Sequence, residues 1–387
     1  MVLEALSVRD FRNLRLLELE PGLRLNAIYG ANGQGKTSLL EAIHFCAEGR
    51  TFRSTPIPAL VRAGTKQVSV RARVRSALGS IDHLASTFAS EKRVLQLNER
   101  TNVPIDDYLG HMRVVVHSPE DSQLILGPPE LRRRFLNRVL VLTEPGFYRT
   151  LVRYVRALKN RNRCLQTKMS ADEIESWTEV LIRLGAEILA FRVGLIARLA
   201  EHLLPSLARI TREALPLTVR YDAGSDYGGE LLDRASAELL LRSQSDRRRA
   251  REYRLERTLF GPHLDDVQFL LDSGSARRNA SQGERRSLLI GLRLAERAVI
   301  AARTGEEPIF LLDDLSSELD EDRAKRVVSA VADLPGQTFV TGTEPPRSQA
   351  SMHLFHMSSG DLTIFPPPGP FGPESLPRSS TSGGTSP

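Results

Sequence analysis

The sequence predicts an α/β fold built around a phosphate-binding loop, with a helical arm inserted between its two halves. Three segments carry that expectation: Gly-Ala-Asn-Gly-Gln-Gly-Lys-Thr at 30–37, Ser-Gln-Gly-Glu at 281–284, and Leu-Leu-Asp-Asp at 311–314. An apolar run at 23–29 precedes the first segment, and the helically spaced Leu39, Leu40 and Ile43 follow it. This is the strand, glycine-rich turn and helix that cradle a nucleotide. Gly30, Ala31, Asn32, Gly33, Gln34 and Gly35 form the loop, whose glycines let backbone N–H groups approach phosphates. Lys36 supplies a positive charge for the terminal phosphates, and the Thr37 hydroxyl is a ligand for Mg²⁺.

The third segment adds metal and water chemistry. Residues 308–312 form a short apolar run suited to a buried parallel strand, and it ends in Asp313 and Asp314. In this arrangement Asp313 holds the Mg²⁺ shell, and Asp314 orients or deprotonates the attacking water. An isolated Asp-Asp pair would read as an acidic surface turn. Here Ser317, Glu318, Leu319 and Asp320 follow at once, and the glycine loop is its partner.

The middle segment opens a helical pattern marked by Leu288, Leu289, Leu292, Leu294, Ala295 and Val299. Ser281, Gln282, Gly283 and Glu284 therefore lie at a helix start, where free N–H groups and the helix dipole can grip an anion. Ser281 can also be an ordinary helix cap.

Further motifs extend the pattern: Phe11-Arg12-Asn13, Gly49-Arg50-Thr51-Phe52-Arg53, Ser118-Pro119-Glu120-Asp121, Arg132-Arg133-Arg134-Phe135-Leu136 and Gly261-Pro262-His263-Leu264-Asp265-Asp266. With the three segments above, they make the chain resemble, up to about Phe365, the RecF family of bacterial DNA repair and recombination ATPases. That family is related to the structural-maintenance-of-chromosomes proteins among the ABC-type ATPases. The resemblance implies an ABC-ATPase head in which Ser281, Gln282 and Gly283 of one subunit close over the γ-phosphate held by the other, with Asp320 at the same boundary. It implies ATP and Mg²⁺ as cofactors. It also implies an ATP-dependent homodimer that clamps DNA at gaps without sequence preference, RecO and RecR as partners, and support of recombinase loading. Two departures from the wider ABC pattern suggest slow turnover: the catalytic acid is Asp314 rather than Glu, and Thr341-Gly342-Thr343 stands where a switch histidine is expected. Gln123 is the candidate for the glutamine that senses the γ-phosphate.

Composition agrees. A chain of 387 residues can bury a large core and divide into subdomains. It shows no signal peptide and no apolar stretch of membrane-spanning length, which predicts a cytoplasmic protein. Two cysteines and eight scattered histidines offer neither a disulfide framework nor a metal cluster. Residues 1–118 and 257–365 are expected to form the head, 119–256 the arm and 366–387 a disordered Pro-, Gly-, Ser- and Thr-rich tail. Helical spacing marks 131–142, 148–165 and 174–204 in the arm, and alternation predicts antiparallel strands at 68–74, 81–88 and 94–97.

The formal net charge of +6 is mostly arginine, clustered in the arm at Arg132-Arg133-Arg134, Arg153 with Arg156, Arg161 with Arg163, and Arg247-Arg248-Arg249 with Arg251 and Arg254. Such clusters can track a phosphate backbone, or can be solvated helix faces. No zinc-finger or helix-turn-helix signal is present, which argues against sequence-specific recognition. Two other uses of the same motifs are the ATPase subunit of a nuclease or toxin system and the nucleotide-binding subunit of a transporter. The position and size of the helical insertion, with the missing switch histidine, count against the transporter.

Overall fold

The computed structural model describes residues 1–365 apart from 54, 212–214, 225–226, 316–320 and 346–351. Ser317, Glu318, Leu319, Asp320 and the tail at 366–387 lie outside the described residues. The strands are β1 (Val2–Phe11), β2 (Leu14–Leu19), β3 (Leu25–Tyr29), β4 (Gln67–Arg75), β5 (Ile81–Ala89), β6 (Lys92–Leu97), β7 (Arg100–Thr101), β8 (Val114–His117), β9 (Leu217–Asp222), β10 (Asp266–Leu271), β11 (Gly274–Ser275), β12 (Ile309–Leu312), β13 (Thr338–Gly342), β14 (Met352–Ser358) and β15 (Asp361–Phe365). The helices are α1 (Lys36–Glu48), α2 (Ile105–Tyr108), α3 (Ser122–Leu126), α4 (Pro129–Thr143), α5 (Phe147–Gln166), α6 (Ala171–Ile210), α7 (Arg234–Leu255), α8 (Ala276–Asn279), α9 (Gln282–Thr304) and α10 (Glu321–Ala332).

The central sheet runs β15-β14-β3-β13-β12-β8, parallel except for β15. All four residues of β12 are buried, as expected of a parallel strand covered on both faces. Alternation along the strands assigns the two faces. Val114, Val116, Ile309, Leu311 and Phe339 join the core that contains α1 and the antiparallel sheet. Val115, Phe310, Leu312 and Val340 join the core formed by α4, α6 and α9. In register, Leu312 lies beside Val340 and His117, and Gly342 beside Tyr29. The carboxyl ends of β3, β8, β12 and β13 therefore open at one edge of the sheet, where α/β folds bind ligands.

The antiparallel sheet, order β2-β1-β4-β5-β6-β7, contains the strands predicted at 68–74, 81–88 and 94–97 as β4, β5 and β6. The helical spacings of the arm become α4, α5 and the 40-residue α6. One feature differs from expectation. β9, inside the stretch read as helical, pairs antiparallel with β10 beyond it, from Leu217↔Leu271 to Asp222↔Asp266. β10 packs on α4 and β9 on α6, so the division expected after Glu256 falls within a single packed unit. A pairing that spans α7 leaves no trace in local periodicity.

Several arm arginines are part of the fold rather than a surface. Arg132 is buried and forms a two-pronged bond to Asp266, 2.6 and 3.0 Å. Arg161 is buried against Glu252 (2.7 Å), Thr178 (2.8 Å) and Thr258 (2.9 Å). Arg133 donates to the Asp265 carbonyl at 2.7 Å, and Arg248 to the Leu259 carbonyl at 3.2 Å. Among the described residues no helix is long and apolar enough to cross a membrane.

Candidate functional site

The loop after β3 turns on glycines whose backbone other residues rarely adopt: Gly30, Gly33 and Gly35 have φ of 152°, 79° and 113°. Space is also limiting, since a Cβ at Gly30 would lie 2.2 Å from the Met357 carbonyl oxygen and one at Gly35 2.9 Å from Asn13 Nδ2. Neighbouring elements brace the loop. Gly360 N–H donates to the Gln34 carbonyl (2.9 Å), Ser359 N–H to Gln34 Oε1 (2.6 Å) and Ser38 Oγ to Asn13 Oδ1 (2.8 Å). Lys36 opens α1, and its Nζ donates to the carbonyls of Gly30 (2.6 Å) and Ala31 (2.9 Å), which holds the ammonium under the loop. Burial pushes this lysine below its ordinary pKa, with Asp314 and Asp313 opposing.

Across the cleft, Asp313 Oδ1 accepts from Thr37 Oγ1 (2.9 Å) and Thr341 Oγ1 (2.8 Å). Thr341 Oγ1 in turn accepts the Asp314 backbone N–H at 2.8 Å. Burial raises the Asp313 carboxyl above its ordinary value, while Thr341, Thr37 and Arg53 pull it down. Thr341 thus occupies the end of β13, where a switch histidine would be sought, and it fixes both acids at once. Asp314 is left-handed, φ 52°, a turn that re-aims its side chain relative to Asp313.

Asn32, Gly33, Lys36, Thr37, Asp313 and Asp314 line one cavity of about 240 Å³, together with Gly35, Ser38 and Arg53. Among the described residues there is no group of three or more His, Cys, Asp or Glu able to hold a metal. The donor set of one hydroxyl and one carboxylate fits a Mg²⁺ whose remaining ligands are water and phosphate oxygens.

Arg53 is the residue that local reading missed. Its guanidinium lies 4.0 Å from Asp313 and 3.7 Å from Glu120. The loop that carries it is pinned at three points: the Arg50 carbonyl lies 2.8 Å from His44 Nδ1, Thr51 Oγ1 donates to Glu41 (2.5 Å), and Phe52 meets His44 edge-on. Its signal was the run 49–53, which shows no periodicity pointing to the cleft.

Ser281 caps α9. Its Oγ accepts from Glu284 N–H (3.2 Å), and Glu284 Oε2 accepts from Ser281 N–H (2.7 Å), a reciprocal capping box. The cap reading is therefore realised. Ser281 and Gln282 are exposed, and neither they nor Gly283 and Glu284 are among the residues lining the Lys36 cavity. Gln123 is also absent from that lining and instead borders a second cavity of about 580 Å³ that shares Arg53.

A chain of buried charges crosses this second cavity. Arg138 of α4 bonds Glu48 of α1 (2.6 Å) and Glu296 of α9 (2.8 Å). Arg293 of α9 bonds Glu296 (2.7 Å) and grips Asp121 through two bonds, 2.6 and 2.9 Å. Burial alone would raise the Glu48 and Asp121 carboxyls, but Arg138 beside the first and Arg293 beside the second hold them well below the usual carboxylate range. The phosphate-loop helix and the Ser281 helix are thus joined by ion pairs through α4.

The model of the RecF/RecN/SMC N terminal domain matches residues 2–362. A DNA replication and repair protein RecF from Anaeromyxobacter dehalogenans is 36% identical over 374 residues, covering 93% of this chain and 98% of its own. The chain belongs to the RecF family. A RecF from Streptococcus suis is 32% identical over 370 residues, covering 94% of this chain and 99% of its own. The solved structure of the recombination mediator protein RecF-ATP in the RecFOR pathway superposes with a TM-score of 0.84 at 29% identity, covering 94% of this chain and 97% of that one. An Smc head bound to the C-winged helix domain of ScpA aligns at TM-score 0.55 and 14% identity over 94% of this chain and 97% of that one, which shows a shared fold. The architecture is accordingly that of a RecF and SMC-type ATPase head, in a DNA replication and repair protein.

Proposed function

We propose that the chain binds ATP with Mg²⁺ in the Lys36 cavity, dimerises through the Ser281 segment, and clamps DNA until slow hydrolysis releases it. The observation that carries this reading is the division of parts. Lys36, Thr37, Asp313 and Asp314 line one cleft, while Ser281, Gln282 and Gly283 form a helix start outside it, so each subunit offers two halves of different sites. Backbone N–H groups of Asn32, Gly33 and Gly35 receive phosphate oxygens, with Lys36 and Arg53 supplying positive charge. Thr37 and Asp313 hold the cation, which neutralises charge on the terminal phosphates. Asp314 accepts the proton of the attacking water as its oxygen bonds the γ-phosphorus and the bond to the β-phosphate oxygen breaks. Glu284, tied to the Ser281 cap, keeps the partner-facing helix end in shape. Nothing in the motifs reads base edges, so the DNA contact is a backbone contact without sequence preference. In the cell this switch acts at gapped DNA and supports recombinase loading, with RecO and RecR as mediator partners.

Lys36→Ala tests the site. The lost charge-assisted bonds are worth about 1.5–3 kcal/mol, so ATP affinity falls about ten- to a hundredfold. The fold stays intact, and ATP no longer increases either dimer content or DNA retention. Light scattering and DNA binding, each with and without ATP, read these together. Unchanged ATP affinity would remove the site assignment, and a wild-type chain that stays monomeric in ATP would remove the clamp.

A further inference from the structure

We infer that the exposed face of α5 is the surface on which a duplex DNA backbone docks, an inference that rests on the DNA-binding reading above. Over its 20 residues α5 carries Arg149, Arg153, Arg156, Lys159, Arg161 and Arg163 and no acidic residue. Tyr154, Ala157, Arg161, Cys164 and Leu165 form its buried side, and α5 packs along α6. Arg153, Arg156, Lys159 and Arg163, spaced by three, three and four residues, fall on the opposite side, and all four are exposed.

What separates α5 from α7, the other arginine-rich helix of the arm, is the absence of acids along it, since α7 carries Glu238, Asp246 and Glu252 among its arginines. Arg132 is tied to Asp266, Arg161 to Glu252, Arg242 to Glu179 and Arg249 to Glu175. None of Arg153, Arg156, Lys159 or Arg163 has a carboxylate partner among the described residues. Arg149, at the amino-terminal end of the same face, is held by Asp106 (2.7 Å) and Asp107 (3.4 Å), which marks where the free stripe begins. From Arg153 to Arg163 the stripe is about 15 Å long, at a rise of roughly 1.5 Å per residue. A duplex presents a charge about every 1.7 Å of its axis, so the stripe faces several phosphates at once. A row of regularly spaced cations with no acid suits a regular polyanion; Val152 and Val155 are also exposed on this face, but they are small residues of a type under-represented among the anchors of protein interfaces, which favour Trp, Tyr and Arg in mixed-charge patches.

The test is the full chain in ATP with a random-sequence duplex of about 30 base pairs, titrated at several salt concentrations. The variant replaces Arg153, Arg156, Lys159 and Arg163 by Gln together. The control replaces the exposed Arg9 and Arg71 of the antiparallel sheet by Gln. Since the replaced side chains are exposed, ATP affinity and circular dichroism should match wild type. The expected result is an affinity loss of about tenfold or more, and a salt slope shallower by about 0.9 for each phosphate contact removed, in the α5 variant alone. Wild-type affinity and slope in the α5 variant would overturn the stripe and leave the DNA-binding reading standing. Equal weakening per charge in variant and control would also overturn it, as diffuse net-charge attraction. A wild-type chain that fails to bind the duplex in ATP would overturn both.

Discussion

Asp314→Asn is expected to bind ATP with near-normal affinity while hydrolysis slows by about 10²–10⁴-fold, the range for loss of a positioned general base. In the proposed site the nucleotide is held by Lys36 and the backbone donors of the loop, whose placement does not rest on a bond to the Asp314 carboxylate, and Asn tolerates the left-handed backbone found there. The backbone bond from residue 314 to Thr341 survives the change, so Asp313 keeps its place. With ATP bound and not cleaved, the dimer accumulates and DNA release slows. Single-turnover hydrolysis and sedimentation in ATP check both. Wild-type turnover in this variant would move the catalytic role to another residue.

Arg293→Met is expected to cost about 3–5 kcal/mol of stability, the penalty for leaving the buried Asp121 carboxylate without its arginine, while Glu296 keeps Arg138. Arg293 serves Asp121 through two bonds and Glu296 through one, and all three residues are buried. Adding Asp121→Asn to this variant should recover part of the loss, because the stranded charge is gone. The pH dependence has a definite sign. The Asp121 and Glu48 carboxyls titrate lower in the fold than at their ordinary values, so their stabilisation is present above about pH 4 and is lost as pH falls toward the folded-state values. Chemical unfolding should therefore show a steep acid loss in wild type and a shallower one in Arg293→Met. Equal stability of the two proteins at neutral pH would show that the network adds nothing to the fold.

How much of this was legible beforehand depends on the range of the interaction. The segment at 30–37 could be placed because its signals are local: an apolar strand, glycines where positive φ is required, and helical spacing afterwards. Asp313 and Asp314 followed from a buried strand ending in acids. The parallel placement of β14 beside β3, and the pairing of β9 with β10, join residues far apart in sequence and carry no local mark. Composition gave the count of arginines but not their use: Arg132 and Arg161 are interior struts, and their acids, Asp266 and Glu252, lie more than ninety residues away. Thr341 looked like a missing histidine and is instead the hydroxyl that locks the acidic pair. Ser281 is a helix cap by geometry, and a cap that remains exposed is free to act on a partner.

The most direct measurement of the composite site mixes two inactive variants, Lys36→Ala and Ser281→Arg. A heterodimer of the two pairs the intact phosphate loop of the Ser281→Arg subunit with the intact helix start of the Lys36→Ala subunit, so one of its two sites is whole. Each variant alone has none. The account predicts that ATP hydrolysis, near background for either protein by itself, reappears on mixing and rises with the fraction of heterodimer. A mixture as inactive as its components, at concentrations where heterodimers are detected, would contradict it and leave Ser281 a helix cap only.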